Sequence, residues 1–175
     1  MKLSQVLLTL LFATSVAVAA APDRFLLYLL SDLEKLTRLT EKRLVMRAEY
    51  SDLCAPVDLP DHARLLGKRD GESQLAAIHI YVTREGEAAF RTPEAKFPVG
   101  TIVLKQKFSS PEAKEAEFYT GMRKREKGYN PDCGDWEFFT MNADRRAFTA
   151  QGRIDSCMDC HRTYAKTDFI TKRLR

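Results

Sequence analysis

In 175 residues the sequence has one tryptophan, three histidines and four cysteines, so each candidate ligand or nucleophile of these types can be weighed individually. It also lacks a charge of one sign. Twenty-eight Lys and Arg stand against twenty-four Asp and Glu, a formal +4, or +3 (4 − 1) if Lys2 is removed with a leader. A balance that even, spread along the chain, leaves no basic stripe and excludes a nucleic-acid footprint. Internal repeats and low-complexity stretches are missing, which excludes collagen-like and disordered classes. After the first twenty residues no apolar run is long enough to cross a bilayer. What remains is 45% hydrophobic and 30% charged, the composition of one globular domain with its own core.

The first residues have the three-part layout of an export signal. Lys2 supplies a positive start, Val6 to Val16 an apolar run, and Ala17-Val18-Ala19-Ala20 the small residues for cleavage after Ala19 or Ala20. The run is shorter than the ~20 residues a membrane span needs. The expectation is a cleaved signal over 1–20 and a soluble mature chain in the periplasm, where disulfides persist.

From Asp23 to about Tyr50, Leu26, Leu29, Leu30, Leu33, Leu36 and Leu39 recur at spacings of three and four behind Pro22. This periodicity predicts a long N-terminal helix, over 21–53, with one packing face. Pro56, Pro60, Gly67 and Gly71 then mark a loop-rich stretch. Strands are predicted at Leu75–Val82, Thr101–Phe108, Phe118–Arg125 and Trp136–Met141, with a helical turn at Glu85–Phe90 and a helix from Ser156 to about Lys172. The fold class is α+β: a mainly antiparallel β-sheet domain over 54–175 with flanking helices, the long N-terminal helix and a short C-terminal one.

That last helix carries the chemistry. Cys157-Met158-Asp159-Cys160-His161 is C-x-x-C-H, the attachment site of c-type haem. On one helical turn two thiols three residues apart can both reach the haem vinyl groups, and the adjacent imidazole can reach the iron. Export and motif agree, since c-type haem is attached outside the cytoplasm. A thioredoxin-like pair would sit on an early βαβ unit, and a zinc site would need two further well-spaced ligands. Cys54 and Cys133 are left over and are expected to pair in an oxidising compartment. Closing a loop of about 80 residues would stabilise by a few kcal/mol. Two separate thiols are the rival reading.

The sixth ligand position reads as open. No methionine follows His161; Met46, Met122, Met141 and Met158 read as core residues. His62 lies in a charged loop, and His79, on a strand, is the other candidate. Open iron binds small diatomic or nitrogenous ligands. The strands argue against the four-helix bundle of cytochromes c′.

Three blocks of sequence point further. Phe97-Pro98-Val99-Gly100-Thr101-Ile102-Val103-Leu104-Lys105 resembles F-P-x-G-T-x-x-x-K. Lys124 to Pro131, followed by Gly134 to Phe139, resembles a second block, and Cys157 to His161 followed by Ala165 to Phe169 a third. In order and spacing, from His79 to Phe169, they resemble the cytochrome P-460 family, whose fold is shared by the cytochromes c′-beta. The resemblance implies a mostly antiparallel domain with one haem c on one face, often in a homodimer. It also implies a covalent link from a lysine, by motif match Lys105, to the macrocycle. The implied activity is oxidation of hydroxylamine to nitric or nitrous oxide, with electrons passing to an external acceptor such as a small cytochrome. Strand alternation groups Lys105 with Thr101 and Val103, and Ile102 with Leu104 on the other face. Lys107 is the comparison, an expected exposed strand lysine. Some members carry a carboxylate ahead of C-x-x-C-H, but Phe148 to Ile154 contains no acid, leaving Asp155 and Asp144. Phe90, Phe97, Phe138 and Phe148 read as core, one of them able to crowd the distal pocket. Three functions compete: hydroxylamine oxidation, capture of nitric oxide or carbon monoxide as in c′-beta, and electron transfer with His79 as sixth ligand.

Overall fold

The computed structural model describes residues 23–47 and 75–172. The expected export signal, Cys54 and His62 lie outside them. Among the described residues the chain forms a seven-stranded antiparallel sheet. The strands are β1 (Thr37–Arg38), β2 (Leu44–Arg47), β3 (Leu75–Val82), β4 (Ile102–Phe108), β5 (Phe118–Lys124), β6 (Trp136–Asn142) and β7 (Phe148–Gly152). Their order is β1-β3-β4-β5-β6-β7, with β2 sharing the outer side of β3 with β1. The helices are α1 (Arg24–Leu30), α2 (Arg84–Arg91) and α3 (Asp155–His161).

The central strands are covered on both faces, so alternation sorts neighbouring apolar residues into two cores. Ile80, Val103, Met122 and Phe138 enter one, with Phe90 of α2, Met158 of α3 and the Phe97–Trp136 pair. Tyr81, Leu104, Tyr119 and Phe139 enter the other, beneath Leu26, Leu30 and Leu36. Lys172 fastens α2 beside the first core, donating from Nζ to the carbonyls of Ala89, Thr92 and Ala95 at 2.7–2.9 Å. Cations suit that C-terminal end of a helix.

The four anticipated strands are present. The long N-terminal helix is not. α1 starts where the Asp23 carboxylate accepts from the Leu26 amide at 3.0 Å, and it stops at Ser31. Asp32 then caps a 3₁₀ turn, Leu33–Lys35, by accepting from the Glu34 amide. Ser and Asp offer the backbone these local bonds in place of helical ones. Beyond them the chain bonds to β3: the Leu39 amide donates to the Ile80 carbonyl at 2.8 Å, and the Ile80 amide donates to the Thr40 hydroxyl. The leucine spacing is therefore satisfied by two cores: Leu26, Leu30 and Leu36 pack in one and Leu39 in the other. Arg123 holds the start of α1 through Asp23 at 2.6 Å, and Arg145 holds its end by donating to the Leu30 carbonyl.

Three smaller corrections concern the C-terminal half. β7 was not anticipated; its residues are mostly half-buried, and its pairing shifts register at Thr140/Met141, which blurs alternation. The helix expected from Ser156 to Lys172 is α3 plus a kinked 3₁₀ segment, Arg162–Thr167, that ends in left-handed backbone at Asp168. Lys107 is also not exposed: it is buried, with its ammonium 4.7 Å from the centre of the Phe118 ring.

If α1 is a lid of the second core, Leu30→Ala should lower the free energy of unfolding by about 2–5 kcal/mol, and Tyr28→Ala, on its exposed side, by no more than about 0.5 kcal/mol. Urea titration of the two variants measures the contrast.

Candidate haem site

The site is assembled around one buried carboxylate. Asp168 is 1% exposed. Its Oδ2 accepts from the Phe97 amide at 2.8 Å, and Lys124 Nζ donates to both carboxylate oxygens at 2.8 and 2.9 Å. Lys96 adds a longer contact at 3.5 Å from the surface. The main-chain oxygen of Asp168 accepts from the Trp136 indole N–H at 2.8 Å. A buried carboxylate is costly unless paired and hydrogen-bonded, and this one is both. Its partners come from the F-P-x-G-T block, the block beginning Lys124 and the Gly134-Asp135-Trp136 turn, so the three motif blocks meet here.

Phe169 follows, also in left-handed backbone (φ 63°), with its ring against Gly134; a Cβ on Gly134 would lie 2.4 Å from that ring. The Phe169 carbonyl lies 2.6 Å from His161 Nδ1. A carbonyl can only accept, so Nδ1 carries the proton and the neutral imidazole keeps its Nε2 lone pair for a metal. Burial, then the nearby Lys105 cation, lowers the His161 pKa to about 4 against the Phe169 hydrogen bond. The ring is therefore in the form that ligates iron at neutral pH. Phe138 packs on it with ring centres 5.2 Å apart. α3 itself is fixed through Met158, whose sulfur accepts from Asn130 Nδ2 at 3.3 Å while the same amide donates to the Trp136 carbonyl. That bond and its burial make Met158 a core residue, as its position in the motif suggests.

His161 and Cys157 open onto a cleft beside the sheet, lined also by Lys105, Ile80, Phe90, Val103, Thr120 and Ile170. The empty space of this open cleft, with the solvent at its mouth included, is about 510 Å³. The sequence separates Lys105 from His161 by half the domain; the sheet brings them together. Lys105 lies opposite Ile80 on one neighbouring strand and Thr120 on the other, on the same face as Val103. Among the described residues no carboxylate lines the cleft. Cys160 is half-buried one turn along α3 and forms no disulfide with Cys157.

Other candidates fall elsewhere. His79 is not among the residues lining the cleft; its neighbour Ile80 is. Its Nδ1 shares a 2.9 Å hydrogen bond with the Thr40 hydroxyl, and burial with the Arg38 and Arg43 cations lowers its pKa. Asp155 is exposed at the start of α3, and Asp144 is exposed, accepting from the Arg146 amide. Cys133 is buried and forms no disulfide among the described residues, and Cys54, its expected partner, lies outside them. Sequence reasoning named Asp168 and Phe169 only as members of a motif and assigned them no role. No local signal marks either residue, since Asp168 stands between Thr167 and the short pair Phe169-Ile170 in an otherwise polar stretch.

The model of the family described as Cytochrome P460 matches residues 63–172. The chain belongs to the cytochrome P460 family. The chain is accordingly a haem protein, and the resemblance read from its three motif blocks holds. Comparison with curated proteins finds no match. The residues fit the family's cofactor on their own chemistry: a neutral imidazole with Nε2 available, two thiols on one helical turn and a largely apolar cleft that His161 and Cys157 line.

Burial raises the Cys133 pKa to about 11, so at pH 8 the group is a thiol, not the nucleophilic thiolate. Iodoacetamide at pH 8 should leave Cys133 unmodified in the folded protein and alkylate it in urea. Peptide mass mapping decides; modification that needs prior reduction even in urea would reveal a disulfide.

Proposed function

We propose that the protein is an exported, periplasmic mono-haem c-type cytochrome that oxidises hydroxylamine. Cys157 and Cys160 carry the macrocycle as thioethers, His161 supplies the axial Nε2, and Lys105 is joined covalently to the ring. Electrons pass to an external acceptor such as a small cytochrome, and the products are nitric or nitrous oxide. One observation carries this reading: Lys105, the lysine of the F-P-x-G-T-x-x-x-K block, lines the same cleft as His161 and Cys157 with no carboxylate beside it among the described lining residues. That places its amine in the cleft where the ring would lie, and a covalent bond to the ring is the use the motif implies for it.

Haem bound there supplies an iron that takes the substrate nitrogen and receives its electrons. The chain's own residues do the rest. The Phe169 carbonyl orients His161 and fixes its tautomer. Ile80, Phe90 and Val103 keep the cleft apolar and exclude water, while the Thr120 hydroxyl is a polar group available to a small ligand. The implied carboxylate proton acceptor is missing from the described cleft. That supports a second reading, a c′-beta-like protein that captures nitric oxide or carbon monoxide without turnover. Electron transfer with His79 as sixth ligand has less support, because His79 is not in the cleft and is engaged by Thr40.

The test is the ferrous absorption spectrum of protein expressed with a periplasmic haem-attachment system, wild type beside Lys105→Ala. A strongly red-shifted Soret band that returns to the ordinary c-type position in the variant is the expected result. An ordinary high-spin c-type spectrum, identical in both, would overturn the lysine link. Hydroxylamine oxidation with an artificial electron acceptor then separates the readings: turnover supports the enzyme, and stoichiometric nitric oxide binding without turnover supports the gas-binding protein.

A further inference from the structure

The buried Asp168 has no place in the attachment motif, yet it directly precedes the residue whose carbonyl meets His161 Nδ1. We propose that Asp168 is a positioning residue for His161: it locks a left-handed turn that holds the Phe169 carbonyl on Nδ1, and it thereby lowers the reduction potential of the haem. This rests on the reading of His161 as the axial ligand.

Asp168 and Phe169 both have positive φ, 55° and 63°. L-residues rarely adopt this region, least of all an aromatic following another such residue, so the turn persists only where its surroundings over-determine it. They do so here. The carboxylate is held by the Phe97 amide and by Lys124, and the main-chain oxygen by Trp136. The turn's own amides are satisfied too, Asp168 donating to Ala165 and Phe169 to Tyr164. The Phe169 carbonyl thus has no slack, and its 2.6 Å contact with His161 Nδ1 is short for a neutral N–H donor. An acceptor on the far nitrogen makes an imidazole a stronger donor to its metal and favours the more highly charged metal. Loosening the turn weakens that hydrogen bond and favours ferrous iron. A carboxylate that merely tied loops together would affect stability and leave the iron unchanged.

The experiment uses haem-loaded protein: wild type, Asp168→Asn and Trp136→Phe. Asparagine keeps the shape and the tolerance for left-handed backbone but gives up the charge that holds Lys124. Trp136→Phe removes the N–H that pins the Asp168 carbonyl and leaves the carboxylate in place, but it also takes away one ring of a fully buried side chain packed on Phe97, so its thermal unfolding is read beside its potential. Haem content, midpoint potential by spectroelectrochemistry, the iron–histidine stretch of the ferrous form by resonance Raman and thermal unfolding are recorded for each. Asp168→Asn should shift the ferric–ferrous equilibrium toward ferrous by about tenfold, which for a one-electron couple is a potential about 59 mV higher. Its iron–histidine stretch should fall in frequency, and Trp136→Phe should move both readouts the same way by less. Unchanged potentials and stretches in loaded variants that unfold at lower temperature would overturn the proposal and leave a structural tie. If Asp168→Asn does not accumulate, Trp136→Phe decides alone on the same two readouts. A loaded wild type with no iron–histidine band would fail the axial-ligand reading, a result distinct from a wild-type band that neither variant shifts.

Discussion

The Asp168 carboxylate, sealed from water between Lys124 and the Phe97 amide, is the contact on which the site's geometry depends. Taking a charge out of water is unfavourable by several kcal/mol, and the cost is offset only when its partners are held in place. Holding them draws together chain segments far apart in sequence. The Phe97 turn enters β4, Lys124 ends β5, and Trp136 begins β6 and reaches the same residue through its indole N–H. Removing one partner of such a buried pair typically costs about 3–5 kcal/mol, because the other charge stays behind unpaired. Stability and site geometry are thus coupled through one side chain.

From that anchor the route to function is short. The residue after Asp168 presents its carbonyl to His161, and His161 closes α3, the helix that carries the two thiols. The sheet supplies the other wall. Since β4 is covered on both faces, alternate residues enter different cores, and Lys105 falls on the face that α3 packs against. Of the described N-terminal residues, the stretch from α1 to Leu36 covers the opposite face while Leu39 packs in the first core, and none of them lines the cleft. Their contribution is to make the sheet two-sided, which is what turns a strand lysine inward.

Much of this was legible in the sequence where residue type and spacing act locally. The C-x-x-C-H run gathers Cys157, Cys160 and His161 within five residues, and the central strands alternate strongly between two cores. The N-terminal leucines misled because a spacing of three and four is also met by a short helix followed by strands packing in different cores; Ser31 and Asp32 mark the break. β7 was hidden by half-buried residues and a shifted register. Lys107 shows that a charged residue at a strand position says little about exposure when both faces are covered. Asp168 was hardest to assign, since its significance lies in partners 71, 44 and 32 residues away, and no local pattern announces such contacts.

The most direct test of the account is a crystal structure of the haem-loaded protein. It should show His161 Nε2 on the iron, Nδ1 on the Phe169 carbonyl, the Asp168–Lys124 pair intact and continuous density from Lys105 Nζ to the macrocycle. A haem lying on the opposite face of the sheet, or a His161 turned away from Phe169 with Lys105 extended into solvent, would contradict it.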